Sequence, residues 1–415
     1  MLVLTSVSGN VLEWYDFALY GYFASIIAML FFPSKNEYVS LMITFGVFAS
    51  GFIVRPFGGA FFGYIGDRYG RRTALILSII LMSLPTTLMG MLPSYHSLGL
   101  AAPIIFTTLR FFQGLAVSGE LTGSGVFLVE SAPDKKKGFY GSLIMCSTYI
   151  GLLLGSACCA IVTIVFSKIQ VINFAWRIPF LLSSLFGVVI LILRMKCSES
   201  PMFIDAKYKN NLIKKPIQKV LLDYFPQTIL IFLLSSTLAV SIYLLIGYFP
   251  TFFVLTMKVS LKESMIVSVV GLLSLSVFVP VFGLLSDIFD KKILHGLGAF
   301  GFLTCSYLIF HLAMGKNIFF LITSEVLIAL FIAPIAGSLI SMLSEMFPTN
   351  VRYTGISIGY NIGMAIFGGI TPLVAMYLTK FFQSDLAPSY YLSFVGVVTI
   401  VSLLLIKPNY LKHMD

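Results

Sequence analysis

An all-α polytopic membrane protein, arranged as two bundles of six helices, is the fold class this sequence predicts. Three observations carry that reading. Of the 415 residues, 58% are hydrophobic and 11% are charged, with a mean hydropathy of +0.97, whereas soluble domains carry about 25% charged residues. The apolar residues fall into about twelve runs, near 10–32, 39–65, 73–92, 100–130, 139–166, 174–195, 226–253, 263–286, 293–313, 317–345, 353–380 and 389–408. Each is near the ~20 residues that cross a bilayer as a helix. Finally, polar signals recur at a spacing of about half the chain. The turn Gly63 to Arg72, with Gly66, Asp67, Arg68, Gly70 and Arg71, is echoed by Gly283 to Lys292, with Asp287 and Asp290. Glu130 followed by Pro133 and Lys137 is echoed by Glu345 followed by Pro348 and Arg352. Two independent echoes argue for two related halves.

Helices follow from the solvent. No water reaches the hydrocarbon, so each span must satisfy its own backbone. The alternating ten-residue segments of a membrane barrel are absent. The only long polar stretch, Met195 to Pro226, is rich in Lys and Asn and separates the halves. The expected organisation is therefore an N-terminal bundle over 1–195, a cytoplasmic linker over 196–225 and a C-terminal bundle over 226–415. Ser198 to Pro201 starts a surface helix in that linker. Val11 to Phe32 is too long and too charged for a cleaved leader and reads as the first span.

The net charge of +10 would suggest nucleic acid for a soluble protein. Retention of Lys and Arg on the cytoplasmic side explains it better. With the Asp67 turn inside, eighteen of the 27 Lys and Arg lie on that side, Arg194, Arg352 and Lys412 among them. Seven, including Lys316, lie on the other, and Arg55 and Arg110 are within the membrane. Both termini then face the cytoplasm. The five cysteines show no Cys-x-x-Cys spacing and read as packing residues. No spacing suits a metal, a phosphate loop or a catalytic Ser–His pair, so neither enzyme nor cofactor is expected. His96, His295, His311 and His413 are scattered and read as ordinary.

The charges inside the spans carry the functional reading, since ionisable groups there are costly and point to a hydrated path. Glu13 and Asp16, three residues apart, share a helix face with Tyr20 a turn further on. The competing reading places Glu13 at headgroup level. Arg55, before Pro56, needs a partner, expected as a carboxylate on a neighbouring helix, and its role is open between function and structure. On the fourth helix Arg110, Gln113 and Glu120 project within about a quarter of the circumference. That face suits a wet cavity, or else an internal Arg–Glu pair. Glu325 is a lone carboxylate that reads equally as a proton site or a helix contact. Glycines in the fifth helix (Gly141, Gly151, Gly155) and the eleventh (Gly355, Gly359, Gly363) permit close packing.

Taken together, the motifs resemble the metabolite:proton symporter family of the major facilitator superfamily, and within it the bacterial proline/betaine transporters most. The stretches are Gly9 to Phe17, Arg55 to Gly59, Gly63 to Arg72, Arg110 to Gly114, Trp176 to Phe180, Glu199 to Pro201 and Arg352 to Gly355. They depart at three places: Ser118-Gly119-Glu120 stands for Gly-Gly-Glu, the second-half loop lacks arginine, and the chain ends at Asp415 without a coiled-coil tail. The last puts osmotic regulation through such a tail in doubt.

The resemblance implies a twelve-helix major facilitator fold in a bacterial cytoplasmic membrane and proton-coupled import of a small solute by alternating access. Relatives carrying 2-oxoglutarate, citrate or shikimate share the motifs, so an organic-acid symporter is the alternative and a non-transporting sensor a lesser one. Arg110 and Gln113 are expected to hold a substrate carboxylate, with Tyr15, Tyr20, Tyr360 and Asn361 also lining the site. Trp14, Tyr15 and Tyr20 could face a quaternary ammonium, although Trp14 fits an interfacial belt equally. Glu13, Asp16, Glu120 or Glu325 is expected to carry the proton. Asp67, Arg68, Arg71 and Arg72, with Glu130 and Arg352, are assigned to the cytoplasmic gate, Asp67 meeting the positive start of the eleventh helix.

Overall fold

The computed structural model describes residues 2–315 and 317–411. Lys316 and Lys412, counted among the loop cations, and His413 lie outside the described residues. Ten helices are long and apolar enough to cross a membrane: α2 (Val39–Arg68), α3 (Arg71–Met91), α4 (Ala101–Glu130), α5 (Asp134–Val165), α6 (Arg177–Met195), α7 (Phe225–Leu255), α8 (Lys262–Leu285), α9 (Lys291–Ala313), α10 (Ile318–Glu345) and α11 (Arg352–Phe382). Ahead of them α1 is a bent pair, Val3–Tyr22 and Ala24–Phe31, turned by 66°. The shorter apolar helix Pro388–Leu404, α12, completes the set. No strand occurs among the described residues.

Helix α1 starts about two turns earlier than its apolar run. Its polar start is packed rather than solvated. Thr5 and Ser6 are buried, and the Asn10 amide donates to Ile144 O (2.9 Å), Ser147 Oγ (2.8 Å) and Thr148 Oγ1 (3.0 Å) of α5. Two helices of the second half carry a π turn, at 244–248 in α7 and 364–368 in α11. Each precedes a proline, Pro250 or Pro372, which has no N–H to give the preceding turn. Such bulges are frequent at functional sites. Two short helices, Pro201–Tyr208 and Pro216–Asp223, occupy the segment between α6 and α7.

Within the first half α1 packs on α4, α5 and α6, α2 on α4, and α3 on α4 and α6. Within the second, α10 packs on α8 and α9, α12 on α7 and α9, and α7 on α11. Across the halves α2 meets α11, and α5 meets α8 and α10. The largest apolar core runs through α7, α8 and α10 and reaches α5. A second fills the first half around Phe31, Phe106 and Trp176.

The α2–α11 contact is main chain against main chain. A Cβ on Gly59 would sit 2.8 Å from Ser357 O, and one on Gly63 2.5 Å from Thr354 Cα. The two helices stay in contact from Asp67 with Tyr353 to Phe52 with Gly369. Fifteen residues at a rise of 1.5 Å make that about 22 Å. The halves are thus shut from the Asp67 end to beyond mid-depth.

Candidate functional site

Near mid-depth, charged and phenolic side chains from both halves meet. From the first half come Glu13 and Asp16 (α1), Arg55 (α2), Thr86 (α3), Arg110 and Gln113 (α4) and Tyr149 (α5). The second half gives Tyr243 (α7), Tyr360 and Asn361 (α11). All are 5% exposed or less. Arg110 Nη1 donates to Gln113 Oε1 (3.0 Å), Gln113 Nε2 to Thr86 Oγ1 (2.6 Å), and Thr86 Oγ1 to Asp16 Oδ2 (2.6 Å). Ser183 of α6 also donates to Asp16 Oδ2 (3.1 Å). A continuous polar chain therefore links a guanidinium to a carboxylate over three helices. The Arg110 guanidinium lies 4.7 Å from the ring centres of both Tyr20 and Phe48.

Arg55 does not pair with a carboxylate, as the sequence led us to expect. Its Nε donates to Asn361 Oδ1 (3.2 Å) in the other half, and it makes no ion pair within 4.0 Å among the described residues. Asn361 in turn donates to Ser118 O and Ser357 O, both at 2.9 Å. An amide can bridge a cation and two carbonyls at once, which a carboxylate cannot. The Glu13 carboxylate is within electrostatic reach of Arg55, Glu120, Arg194 and Asp16 yet hydrogen-bonds to none. Tyr243 and Tyr360 are within reach of Arg55 and Glu13, and Tyr149 of Tyr360.

Seven buried polar atoms in this cluster have no hydrogen-bond partner. Four are donors or hydroxyls (Arg55 Nη2, Arg110 Nε, Tyr149 OH, Tyr243 OH), of which Arg55 and Tyr243 face each other without closing a well-formed bond, and three are carboxylate oxygens (both of Glu13, and Asp16 Oδ1). Native interiors leave few such groups unpaired, and a bilayer interior penalises them further. A concentration of unmet donors beside unmet acceptors suits a small polar solute carrying both kinds of group. The two guanidinium charges cancel the two carboxylate charges when all four are ionised.

Other expected residues have different polar partners, although the Tyr20 ring borders the cluster at Arg110. Tyr15 turns its hydroxyl to Pro179 O (3.1 Å) and Cys158 Sγ (3.4 Å), and Tyr20 to Thr44 O (2.8 Å). Glu120 is two turns from Gln113 and fully engaged. Arg194 Nη1 meets its Oε2 at 2.8 Å, Arg194 Nη2 meets Oε1, Ser78 donates at 2.6 Å and Ser124 at 2.8 Å. Glu325 is sealed on α10 against Gly271 of α8, and neither of its oxygens has a partner. His295 is fully buried near the start of α9.

The Asp67 end forms a second assembly. Asp67 pairs with Arg71 (2.9 Å) and accepts from the backbone N–H of Tyr353 (3.2 Å) and Thr354 (2.8 Å), in the first turn of α11. Arg71 grips Glu130 at 3.0 and 2.9 Å and donates to Thr349 O (2.6 Å). Glu130 also meets Arg352 (2.7 Å) and Ser200 Oγ (2.5 Å). Asp287 makes the matching contact, accepting from the N–H of Gly138 (2.6 Å) and Phe139 (2.9 Å) at the start of α5. Arg68 is exposed and bonds to Tyr64 OH (2.6 Å) and Lys214 O (3.1 Å). Arg72 bonds to Arg194 O (3.2 Å) and Met195 O, and its own N–H to Glu199.

Sequence reasoning missed Thr86, Ser183 and Tyr243 as site members and misread Arg194, counted as a loop cation but 1% exposed. A signal for Arg194 existed: Glu120 deep in a span demands a cation. None existed for Thr86 or Ser183, since hydroxyls recur throughout membrane helices. The five cysteines are free.

Comparison with known proteins gives a consistent picture. The family model described as "Sugar (and other) transporter" matches residues 1–220 and again 204–407, one match to each half. The chain is 30% identical over 403 residues to the proline/betaine transporter of Escherichia coli (strain K12), covering 95% of this chain and 80% of that one. It is 32% identical over 406 residues to a putative proline/betaine transporter of Staphylococcus aureus (strain COL), covering 95% and 85%. Among solved structures it resembles the proton:xylose symporter XylE of E. coli bound to 6-bromo-6-deoxy-D-glucose, with a TM-score of 0.79 at 17% identity over 100% of this chain and 97% of that one.

Proposed function

Because the chain belongs to the sugar (and other) transporter family of the major facilitator superfamily, we propose that this membrane transporter is a proton-coupled symporter importing a small zwitterionic osmolyte of the proline/betaine type by alternating access. It would sit in a bacterial cytoplasmic membrane with the Asp67 end and both termini inside. The observation that carries the reading is the buried cluster at the junction of the halves. Two guanidiniums and two carboxylates balance there, with four unmet donors or hydroxyls and three unmet carboxylate oxygens. A net-neutral solute with separated charges leaves that balance intact. A dicarboxylate would need an excess of cations.

In this mechanism Arg110 and Gln113 meet the substrate carboxylate, for which a guanidinium fork is suited. Gln113 also holds Thr86, and Thr86 holds Asp16, so drawing Gln113 to the substrate alters the setting of a carboxylate that can carry the proton. Glu13, with both oxygens free, is the second candidate carrier, and Glu325 stays a candidate outside the cluster. Glu120, gripped by Arg194, ties α3, α4 and α6 together. Opening of the Asp67 end requires Asp67 to leave Tyr353 and Thr354, Glu130 to leave Arg352, and Asn361 to leave Ser118. Tyr353 OH, 2.5 Å from Gly119 O, and Thr122, 2.6 Å from Ser357, must also part.

The test is uptake of labelled proline, betaine and 2-oxoglutarate into proteoliposomes, with and without an acidic exterior. Proline or betaine should accumulate only with the gradient. Uptake indifferent to the gradient rejects symport, and accumulation of 2-oxoglutarate alone gives the organic-acid reading.

A further inference from the structure

The two α1 carboxylates stand in different settings, and the difference assigns them different work. Asp16 has one oxygen held by Thr86 and Ser183 and is joined through Gln113 to Arg110. Glu13 has neither oxygen held. The charged groups facing Glu13 are Arg55, Glu120, Arg194 and Asp16. Glu120 and Arg194 are already spent on each other, and Arg55 is drawn toward Asn361. Glu13 is thus a fully buried carboxylate whose four lone-pair sites are unclaimed, beside Tyr243 and Tyr360.

We propose that Glu13 is the specificity-determining residue that reads the substrate's nitrogen, while Asp16, on its hydrogen-bonded chain, carries the proton. This rests on the symport reading. The chemistry separates two substrate classes. A secondary ammonium such as that of proline offers two N–H donors, which an unclaimed carboxylate accepts as short charge-assisted bonds. A quaternary ammonium such as that of betaine offers none and gains only charge attraction and contact with the faces of Tyr243 and Tyr360. A site built around a hydrogen-bonding group discriminates strongly against a ligand unable to answer it. Glu13 therefore favours N–H-bearing zwitterions. The carboxylate end of the substrate is common to both classes and meets the same guanidiniums.

Wild type, Glu13→Gln and Asp16→Asn are each reconstituted and assayed for proline and betaine by two readouts: accumulation driven by an acidic exterior, and exchange (counterflow) without a gradient. In Glu13→Gln the ratio of kcat/KM for proline over betaine falls about tenfold, the scale of exchanging a charge-assisted hydrogen bond for a neutral one, and betaine accumulation still responds to the gradient. In Asp16→Asn the ratio holds within about twofold, and the gradient no longer drives accumulation although exchange continues. A Glu13→Gln ratio within twofold of wild type overturns the proposal, as does loss of gradient response with exchange intact in that variant. Should Glu13→Gln transport neither substrate, Glu13→Asp decides: a restored gradient response with an unshifted ratio also overturns it. Failure of wild type to move either solute would instead reject the symport reading.

Discussion

Replacing Arg194 by Met removes the cation from a sealed carboxylate. The Glu120 and Arg194 side chains are 1% and 2% exposed, so water cannot substitute. Glu120 would keep only Ser78 and Ser124. Stranding one charge of a buried pair costs about 3–5 kcal/mol, and the loss here should fall in that range because the pair is bidentate. Removing both charges, with Arg194→Met and Glu120→Gln together, should recover most of it, since the amide oxygen still accepts from one serine, its NH2 can donate to the other hydroxyl, and no charge is stranded. The assay is reversible unfolding of purified protein by titration from mild detergent into sodium dodecyl sulfate, run as a double-mutant cycle. Coupling of at least about 2 kcal/mol is expected, with gradient-driven uptake surviving in the double variant. A single-variant loss under about 1 kcal/mol, or coupling near zero, refutes the structural reasoning. Wild-type stability with abolished gradient response in the double variant would return Glu120 to the proton path.

Two further outcomes follow from the interface of the halves. Gly63→Ala places a Cβ 2.5 Å from Thr354 Cα, where main chain cannot yield, so the Asp67 end should fail to shut; a Thr122→Cys probe should then label faster with a thiol reagent supplied from that end, and unchanged labelling would contradict the packing. Asn361→Leu leaves Arg55 Nε without its partner and removes the bridge to Ser118 O, which keeps Thr122, at similar volume. Initial uptake should fall at least about tenfold, and a fall under twofold would show that Arg55 does not depend on the bridge.

Membrane residence, helix number and the two related halves were legible because hydrocarbon imposes length and apolarity on every span. Element ends were less so. The first apolar run begins near residue 10, and the Asn10 contacts on α5 help hold the polar turns before it as helix. The costly charges were legible as well: Glu13, Asp16, Arg55 and Arg110 all meet at the centre. Their partners were not, because pairing across a bundle depends on how helices rotate about their axes. Two turns of depth along one face of α4 separate Gln113, which meets Thr86 at the centre, from Glu120, which meets Arg194 of α6. The hydroxyls of Tyr15 and Tyr20, expected to line the site, each reach a main-chain carbonyl, while the Tyr20 ring stays against Arg110.

Both end latches bind amides of the main chain. Asp67 holds the N–H of Tyr353 and Thr354, and Asp287 holds those of Gly138 and Phe139. A peptide group is present whatever side chain it bears, so no replacement at those four positions other than proline deletes the receiver. Packing still limits the choice at Gly138, where a Cβ would sit 2.8 Å from Gly283 O and 2.9 Å from Asp287 Oδ1. The second loop shows the same arrangement around Asp287 with Lys291 and Lys292 as its cations and no arginine.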